Sequence, residues 1–294
     1  MKTTQAIFER YEAIRPRLPL MKALGTMNEI NSLNDIVNEV DAFVFDAFGV
    51  LNVGETPIPG AGQRLQELRE AGCAIRVLTN AASYDKSGAI AKFRRLGLVL
   101  EDDEIITSRD ATLGALDRRH WGVIAAPEDK LDDVLYSKTR LADAAKDYDA
   151  VEGFLFLSSI DWNDGRQLLL QASLENHPRP LLIANADLVA PRDDGFSLEP
   201  GYYGHQIADR TGAEVRFFGK PFAEVFEMAQ TSLSGVAPDR IAMCGDSLHT
   251  DILGAAAMGW RSVLVTRDGL FAGHDVGVYA RDSGITADWK LARI

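Results

Sequence analysis

From residue 42 to residue 265, short apolar runs alternate with stretches in which apolar positions recur every three or four residues. Runs rich in Val, Ile and Phe and bounded by turn residues predict strands, and the longer spacing predicts helices. The expected strands are 42–45, 74–78, 104–107, 123–125, 153–157, 181–184, 214–218, 241–244 and 262–265. The expected helices between them are 63–71, 85–96, 111–120, 165–176, 223–232 and 251–258. Strands joined through helices predict an α/β fold with a parallel sheet, because parallel neighbours need a crossover connection.

Ahead of this alternation, Ala6, Ile7, Tyr11 and Ile14 fall at helical spacing until Pro16 and Pro19 interrupt it. Residues 1–40 are therefore expected to form an N-terminal helical extension. Between about 118 and 205 the elements continue, but polar residues no longer gather at strand ends. A segment rich in Gly, Pro and Asp, 190–201, closes that stretch, as loops at the edges of inserted domains do. The expectation is a core split into 41–117 and 206–294, with an α/β insertion at 118–205. No internal repeat and no low-complexity tract interrupts the pattern.

Charge narrows the function. The 294 residues carry a formal net charge of −12, a field that repels nucleic acid and anionic membrane surfaces. A small phosphate can still bind such a chain where a cation or aligned N–H groups reverse the local field. A metal site is thus the feature to seek. Cys73 and Cys244 sit among apolar residues and are expected as buried, reduced thiols rather than a disulfide framework. The first 22 residues lack the apolar core of a signal peptide. No apolar run approaches the ~18 residues of a membrane span, so a cytoplasmic protein is expected.

Ligands of an open parallel sheet bind beyond the carboxyl ends of its strands. The residues expected there are Asp46 after Ala-Phe-Val-Phe, Thr79 and Asn80, Lys220, and Asp246, with Asp251 five positions on. Taken singly, a strand-ending Asp often caps a helix and Thr-Asn often makes a turn. Two aspartates and a lysine aimed at one sheet edge, in this order, point instead to a shared site.

The segments FDAFGVL (45–51), LTN (78–80), GKP (219–221) and GDSLHTD (245–251) resemble the four motifs of the haloacid dehalogenase-like superfamily. With the insertion between the second and third motifs, the chain resembles the IIA subclass, the NagD-like phosphatases. The resemblance implies a Rossmann-like three-layer core under an inserted α/β cap, and a Mg²⁺-dependent hydrolase of small phosphorylated metabolites. It implies Asp46 as a nucleophile that forms an aspartyl-phosphate, with Thr79 and Lys220 assisting. The ion would be held by Asp46, the backbone carbonyl of Phe48, Asp246 and Asp251. The backbone N–H groups of Phe48 and Gly49 would hold phosphoryl oxygens, and Asn80 would reach the substrate. On the cap, Asn185 and Asp187 occupy the place of an Asn-Pro-Asp-like turn, and Arg192 is the candidate for an anionic substituent. Caps of this subclass often mediate dimers, so a homodimer through the cap is expected.

Position 48 departs from the family pattern. Phosphatases of the superfamily carry a second aspartate there, which protonates the leaving oxygen; this chain has Phe48. General acid–base assistance is worth roughly 10²–10⁴-fold. The alternatives are a phosphatase whose substrate has a good leaving group or whose acid is drawn from elsewhere, such as the cap or His249, a dehalogenase-like chemistry that needs none, or a catalytically weak protein that binds a phosphorylated ligand.

Overall fold

In the computed structural model, which describes residues 3–21 and 26–294, two parallel sheets organise the chain. Parts of the expected N-terminal extension, 1–2 and 22–25, lie outside the described residues. The larger sheet has seven strands in the order Asn28–Glu29, Trp289–Leu291, Arg261–Val265, Ile241–Gly245, Ala42–Phe45, Ala74–Thr79 and Ile105–Thr107. Every pairing in it is parallel. Strand Ala42–Phe45 lies between Ile241–Gly245 and Ala74–Thr79, so the strand order reverses beside it. That reversal is the topological switch point at which doubly wound sheets open a crevice.

The central strands are apolar on both faces for a packing reason. Phe43 and Phe45 enter a core on one side with Leu65 and Leu68 of helix Ala61–Glu70. Ala42 and Val44 face the opposite side, with Val225 and Phe226 of helix Ala223–Ser232. Successive side chains alternate across a strand, so a sheet covered on both faces needs unbroken apolar runs.

The second sheet has five strands in the order Val215–Phe217, Leu181–Ile183, Gly153–Phe156, Trp121–Ile124 and Lys138–Arg140, again all parallel. Its first and last members in the chain are Trp121–Ile124 and Val215–Phe217, so by sheet membership the insertion runs past the expected return at 206. The cause is local: helix Pro200–Arg210 leads into Val215–Phe217, and its Ile207 packs in one cluster with Ile183 and Phe217.

Three further expectations change. The segment after Leu188 is an antiparallel hairpin, Val189–Arg192 with Gly195–Leu198, rather than an open loop; Asp193 and Asp194 form its turn, and Gly195, which pairs with Arg192, follows at φ 127°. The helix expected at 111–120 is Ser108–Leu113, started by the Thr107 hydroxyl accepting from the Asp110 N–H at 3.1 Å. The helix expected at 251–258 begins earlier, as a π-helical turn Leu248–Ile252 that runs into Leu253–Met258. Both cysteines are buried free thiols, and no helix among the described residues is long and apolar enough to cross a membrane.

Candidate active site

The ends of three central strands of the larger sheet bring Asp46, Thr79 and Asp246 together; Lys220 joins them not from the same sheet edge, as expected, but from beyond Val215–Phe217 of the smaller sheet. Asp46 follows Ala42–Phe45 directly, and its N–H continues the ladder to the Cys244 carbonyl at 2.9 Å. Its Oδ1 accepts from the Ala47 N–H at 2.7 Å and lies 2.5 Å from Lys220 Nζ. Lys220 Nζ is also 2.8 Å from Asp251 Oδ1, and the lysine is 1% exposed. Asp251 reaches this point because the π-turn carries it back under the strand end, where its Oδ2 accepts from the Ser247 N–H at 3.1 Å. Asp246 Oδ2 accepts from the Leu270 N–H at 2.7 Å.

Asp46, Asp246 and Asp251 each offer a carboxylate oxygen within 4.8 Å of the others, and all three are buried. Among the described residues one lysine, Lys220, faces them, so three carboxylates crowd a buried space. Burial pushes the Asp46 carboxyl up; Lys220 pulls it back and the Asp251 charge adds to the rise. Burial, then Asp251 and Asp46, hold Asp246 well above the ordinary range. Burial pulls the Lys220 ammonium down, but Asp251 and Asp46 more than offset it and hold the group charged. A hard cation fits this donor set, since it takes oxygen ligands and relieves the repulsion among them. The backbone is shaped to the same end. A Cβ on Gly269 would stand 2.0 Å from Asp246 Oδ2, and one on Gly49 (φ +77°) would stand 2.5 Å from it.

The loop after Asp46 decides which N–H groups face the cleft. A bridge between Phe48 and Asn52 uses the Gly49 N–H, which donates to the Asn52 carbonyl at 2.8 Å, and the Ala47 carbonyl, which accepts from Asn52. The expected phosphoryl contact from the Gly49 N–H is therefore already committed within the loop. The bridge leaves the N–H and carbonyl of Phe48 itself unused by Asn52.

Asn80 is a clasp. Its Oδ1 accepts from the Lys220 N–H at 2.7 Å, and its Nδ2 donates to the Lys220 carbonyl at 3.0 Å and to Asp187 Oδ1 at 2.8 Å. With its amide fully used, Asn80 ties the third motif to the inserted unit rather than offering a free group to a ligand. Asn185 is similarly occupied, donating to Glu199 Oε2 at 3.1 Å and accepting from the Asp187 N–H at 2.9 Å. Asp187 joins Asp46, Thr79 and Asp246 in the wall of a narrow cleft. Burial, the largest cause, holds its carboxyl well above the ordinary range.

Arg192 does not reach this cleft. It lines a second cavity that shares Phe48, Asp187 and Ala190 with the first. His249 is fully buried, with Nε2 2.5 Å from Glu12 Oε1 and its ring stacked on Tyr11 at 4.8 Å. Burial lowers its pKa to about 4, against the pull of Glu12. The ring braces the N-terminal helix and is not part of the cleft wall.

Three residues that the motif reading did not single out belong to this neighbourhood. Tyr11 comes from helix Thr4–Ile14, lines the cleft, and accepts the Leu188 N–H at 3.2 Å. Its helical spacing marked it only as a packing residue. Ser247 stands inside the fourth motif; it lines the cleft, and its Oγ is buried with no hydrogen-bond partner. Lys92 on helix Lys86–Arg95 is 5% exposed, with Nζ 4.2 Å from the centroid of the Phe48 ring. Nothing in a helix of ordinary charge pattern marked that lysine as buried.

Comparison with known proteins agrees with this geometry. A family model described as haloacid dehalogenase-like hydrolase matches residues 43–147, and a second of the same kind matches 217–283. Chronophin of Bos taurus is 30% identical over 248 residues, 79% of this chain and 83% of that protein. The crystal structure of a possible sugar phosphatase of the same superfamily from Cytophaga hutchinsonii superposes with a TM-score of 0.78 at 22% identity, covering 90% of this chain and 98% of that one. A glycerol phosphate phosphatase from Mycobacterium tuberculosis, solved in complex with magnesium, has a TM-score of 0.62 at 20% identity, covering 89% and 81%. With the four motifs converged around Asp46, the chain belongs to the haloacid dehalogenase-like hydrolase family, in its NagD-like subclass, and is a hydrolase.

Proposed function

We propose that this hydrolase is a Mg²⁺-dependent phosphatase of small phosphorylated metabolites, with Asp46 as its nucleophile. The observation that carries the reading is the meeting of Asp46, Asp246, Asp251 and Lys220 in one buried cluster at the switch point. Asp46, the Phe48 carbonyl and Asp246 would hold the ion, with Asp251 placing Lys220; when bound, the ion neutralises charge on the phosphoryl oxygens. The magnesium complex of the M. tuberculosis relative supports that choice of metal.

The chain's own groups account for the rest. The Asp46 carboxylate attacks phosphorus, the bond to the leaving oxygen breaks, and an aspartyl-phosphate forms. Lys220, held charged between Asp46 and Asp251, offsets the repulsion between nucleophile and phosphate. The Thr79 and Ser247 hydroxyls and the Phe48 N–H supply donors to the phosphoryl oxygens. With Phe48 in the usual place of the acid, the proton for the leaving oxygen comes from Asp187. Its raised carboxyl lines both the cleft and the cavity beyond it. Water then attacks phosphorus, Asp187 takes its proton, and Asp46 is regenerated with release of inorganic phosphate.

Phosphate release from p-nitrophenyl phosphate tests the reading. The wild type should turn over with Mg²⁺ and not with a chelator, and Asp46→Asn should lose at least about 10³-fold. Halide release from a 2-haloacid without metal would move the assignment to dehalogenase-like chemistry. Mg²⁺-dependent ligand binding without turnover would make the protein a binder.

A further inference from the structure

Beyond the phosphoryl cleft lies a second cavity, into which Lys92 and Arg192 bring positive charge beside Glu55, Asp187 and Glu199. Phe48 is the partition between them. On the cavity side the ring carries two cations, Lys92 Nζ at 4.2 Å and the Arg192 guanidinium at 4.8 Å from its centroid. They arrive from different units, Lys92 from helix Lys86–Arg95 beside the larger sheet and Arg192 from the hairpin after Asp187. A ring face attracts cations and holds them without consuming their hydrogen bonds.

The two cations differ in how they are engaged. Arg192 donates through Nε to Ser197 at 2.9 Å and through Nη2 to Glu199 at 3.1 Å, leaving Nη1 unused by either. Glu199 is bound in turn by Asn185 and Ser197, so its carboxylate is fully engaged. Lys92 is 5% exposed, and its nearest carboxylate is a long 3.4 Å contact to Glu55, whose side chain is 59% exposed. Burying an ammonium without a close counter-charge is costly. A ligand anion entering from the cavity would remove that cost, and solvent-facing Glu55 can withdraw to admit it.

We propose that the leaving group of the substrate carries a second anionic group, a carboxylate or a phosphate, held over Phe48 by Lys92 and Arg192. The inference rests on the phosphatase reading for the end of the substrate that is cleaved. It also gives position 48 a use: the aromatic ring that displaces the usual acid builds the floor of an anion pocket. Asp187, the protonated acid of the phosphatase reading, stands where the two spaces meet, and Glu55 and Glu199 supply the negative charge that the ligand must outcompete.

Equilibrium binding of non-hydrolysable phosphonates with Mg²⁺ present tests this without turnover. Phenylphosphonate is compared with 4-carboxyphenylphosphonate and with 1,4-benzenediphosphonate, the latter two separating carboxylate from phosphate. The wild type should bind at least one doubly charged ligand about tenfold more tightly than phenylphosphonate. Lys92→Met should reduce that ratio to near one, and Glu55→Gln should increase it. Equal affinities in the wild type, or a ratio indifferent to both substitutions, would overturn the inference while leaving the phosphatase reading intact. Failure of the wild type to bind any of the three phosphonates would sink both. Glu55 is exposed, so its variant decides the matter even if Lys92→Met does not fold.

Discussion

At the scale of single residues, the site depends on positions with no chemistry of their own. Gly269 is the clearest, because any Cβ there would meet Asp246 Oδ2 at 2.0 Å while the next N–H anchors that same carboxylate. Gly269→Ala is expected to displace Asp246, raising the Mg²⁺ concentration for half-maximal activity and lowering kcat/KM by about 10²-fold (order of magnitude for a misplaced catalytic group). A Mg²⁺ titration of p-nitrophenyl phosphate hydrolysis reads both. Phe48→Asp restores the carboxyl that family phosphatases use, and such an acid is worth roughly 10²–10⁴-fold. Lys92 and Arg192 lie against position 48, so they would pair with the new carboxylate and hold back part of that gain. The expected rise is about tenfold in kcat, confined to poor leaving groups such as phenyl phosphate. A larger rise on p-nitrophenyl phosphate than on phenyl phosphate would contradict it.

At the scale of elements, the N-terminal helix and helix Pro200–Arg210 show how accessory segments are drawn into the molecule. Helix Thr4–Ile14 carries Tyr11 to the cleft and Glu12 to His249, while Arg10 and Arg17 pair with Asp209 at 2.6 and 2.7 Å. Asp209 belongs to Pro200–Arg210, whose His205 is buried and stacked on Phe217 at 4.0 Å. Burial first, and then Arg17 and Arg10, lower the His205 pKa from 6.5 to about 3. The native state therefore refuses a proton that the unfolded chain accepts near pH 6.5. Stability contributed at neutral pH must be lost progressively as the pH falls from about 6.5 towards 3. Thermal unfolding at about pH 7.5 and pH 5 should show a larger drop for the wild type than for His205→Gln; equal drops would refute the assignment.

At the scale of the whole molecule, the two sheets are joined by a buried ion cluster as well as by apolar contact. Arg109, beside the larger sheet, donates to Asp129 and Asp133 at 2.6 Å each and to the Ala82 carbonyl at 3.1 Å. Both aspartates follow strand Trp121–Ile124 of the smaller sheet. Removing Arg109 strands Asp129, whose side chain is 4% exposed, while Asp133 at 27% stays partly solvated, so Arg109→Met should cost about 3 kcal/mol, the low end for a broken buried pair, measured by chemical denaturation. Much of this architecture was legible beforehand. Strand Ala42–Phe45 and helix Ala223–Ser232 occur with the bounds their apolar patterns predict. The alternation of strand and helix was likewise enough to name the fold class. Short edge strands such as Lys138–Arg140, exposed or half-buried along its length, lack the apolar signal that a buried strand displays. The hairpin after Asp187 was hidden by its charged turn, which reads as a loop.

The periodicity and the four motifs determined the fold class, the strand ends where chemistry gathers, and the identity of Asp46, Asp246, Asp251 and Lys220. For Asp46 and Asp246 this follows from local order, because a residue placed directly after a parallel strand is delivered to the sheet edge; Asp251 arrives on the π-turn and Lys220 from beyond a strand of the smaller sheet. Tertiary structure alone decided that Asn80 is a clasp, that His249 braces a helix, and that Lys92 lies buried against Phe48. Each depends on partners dozens to hundreds of positions away, and spacing along the chain carries no record of such distances across it.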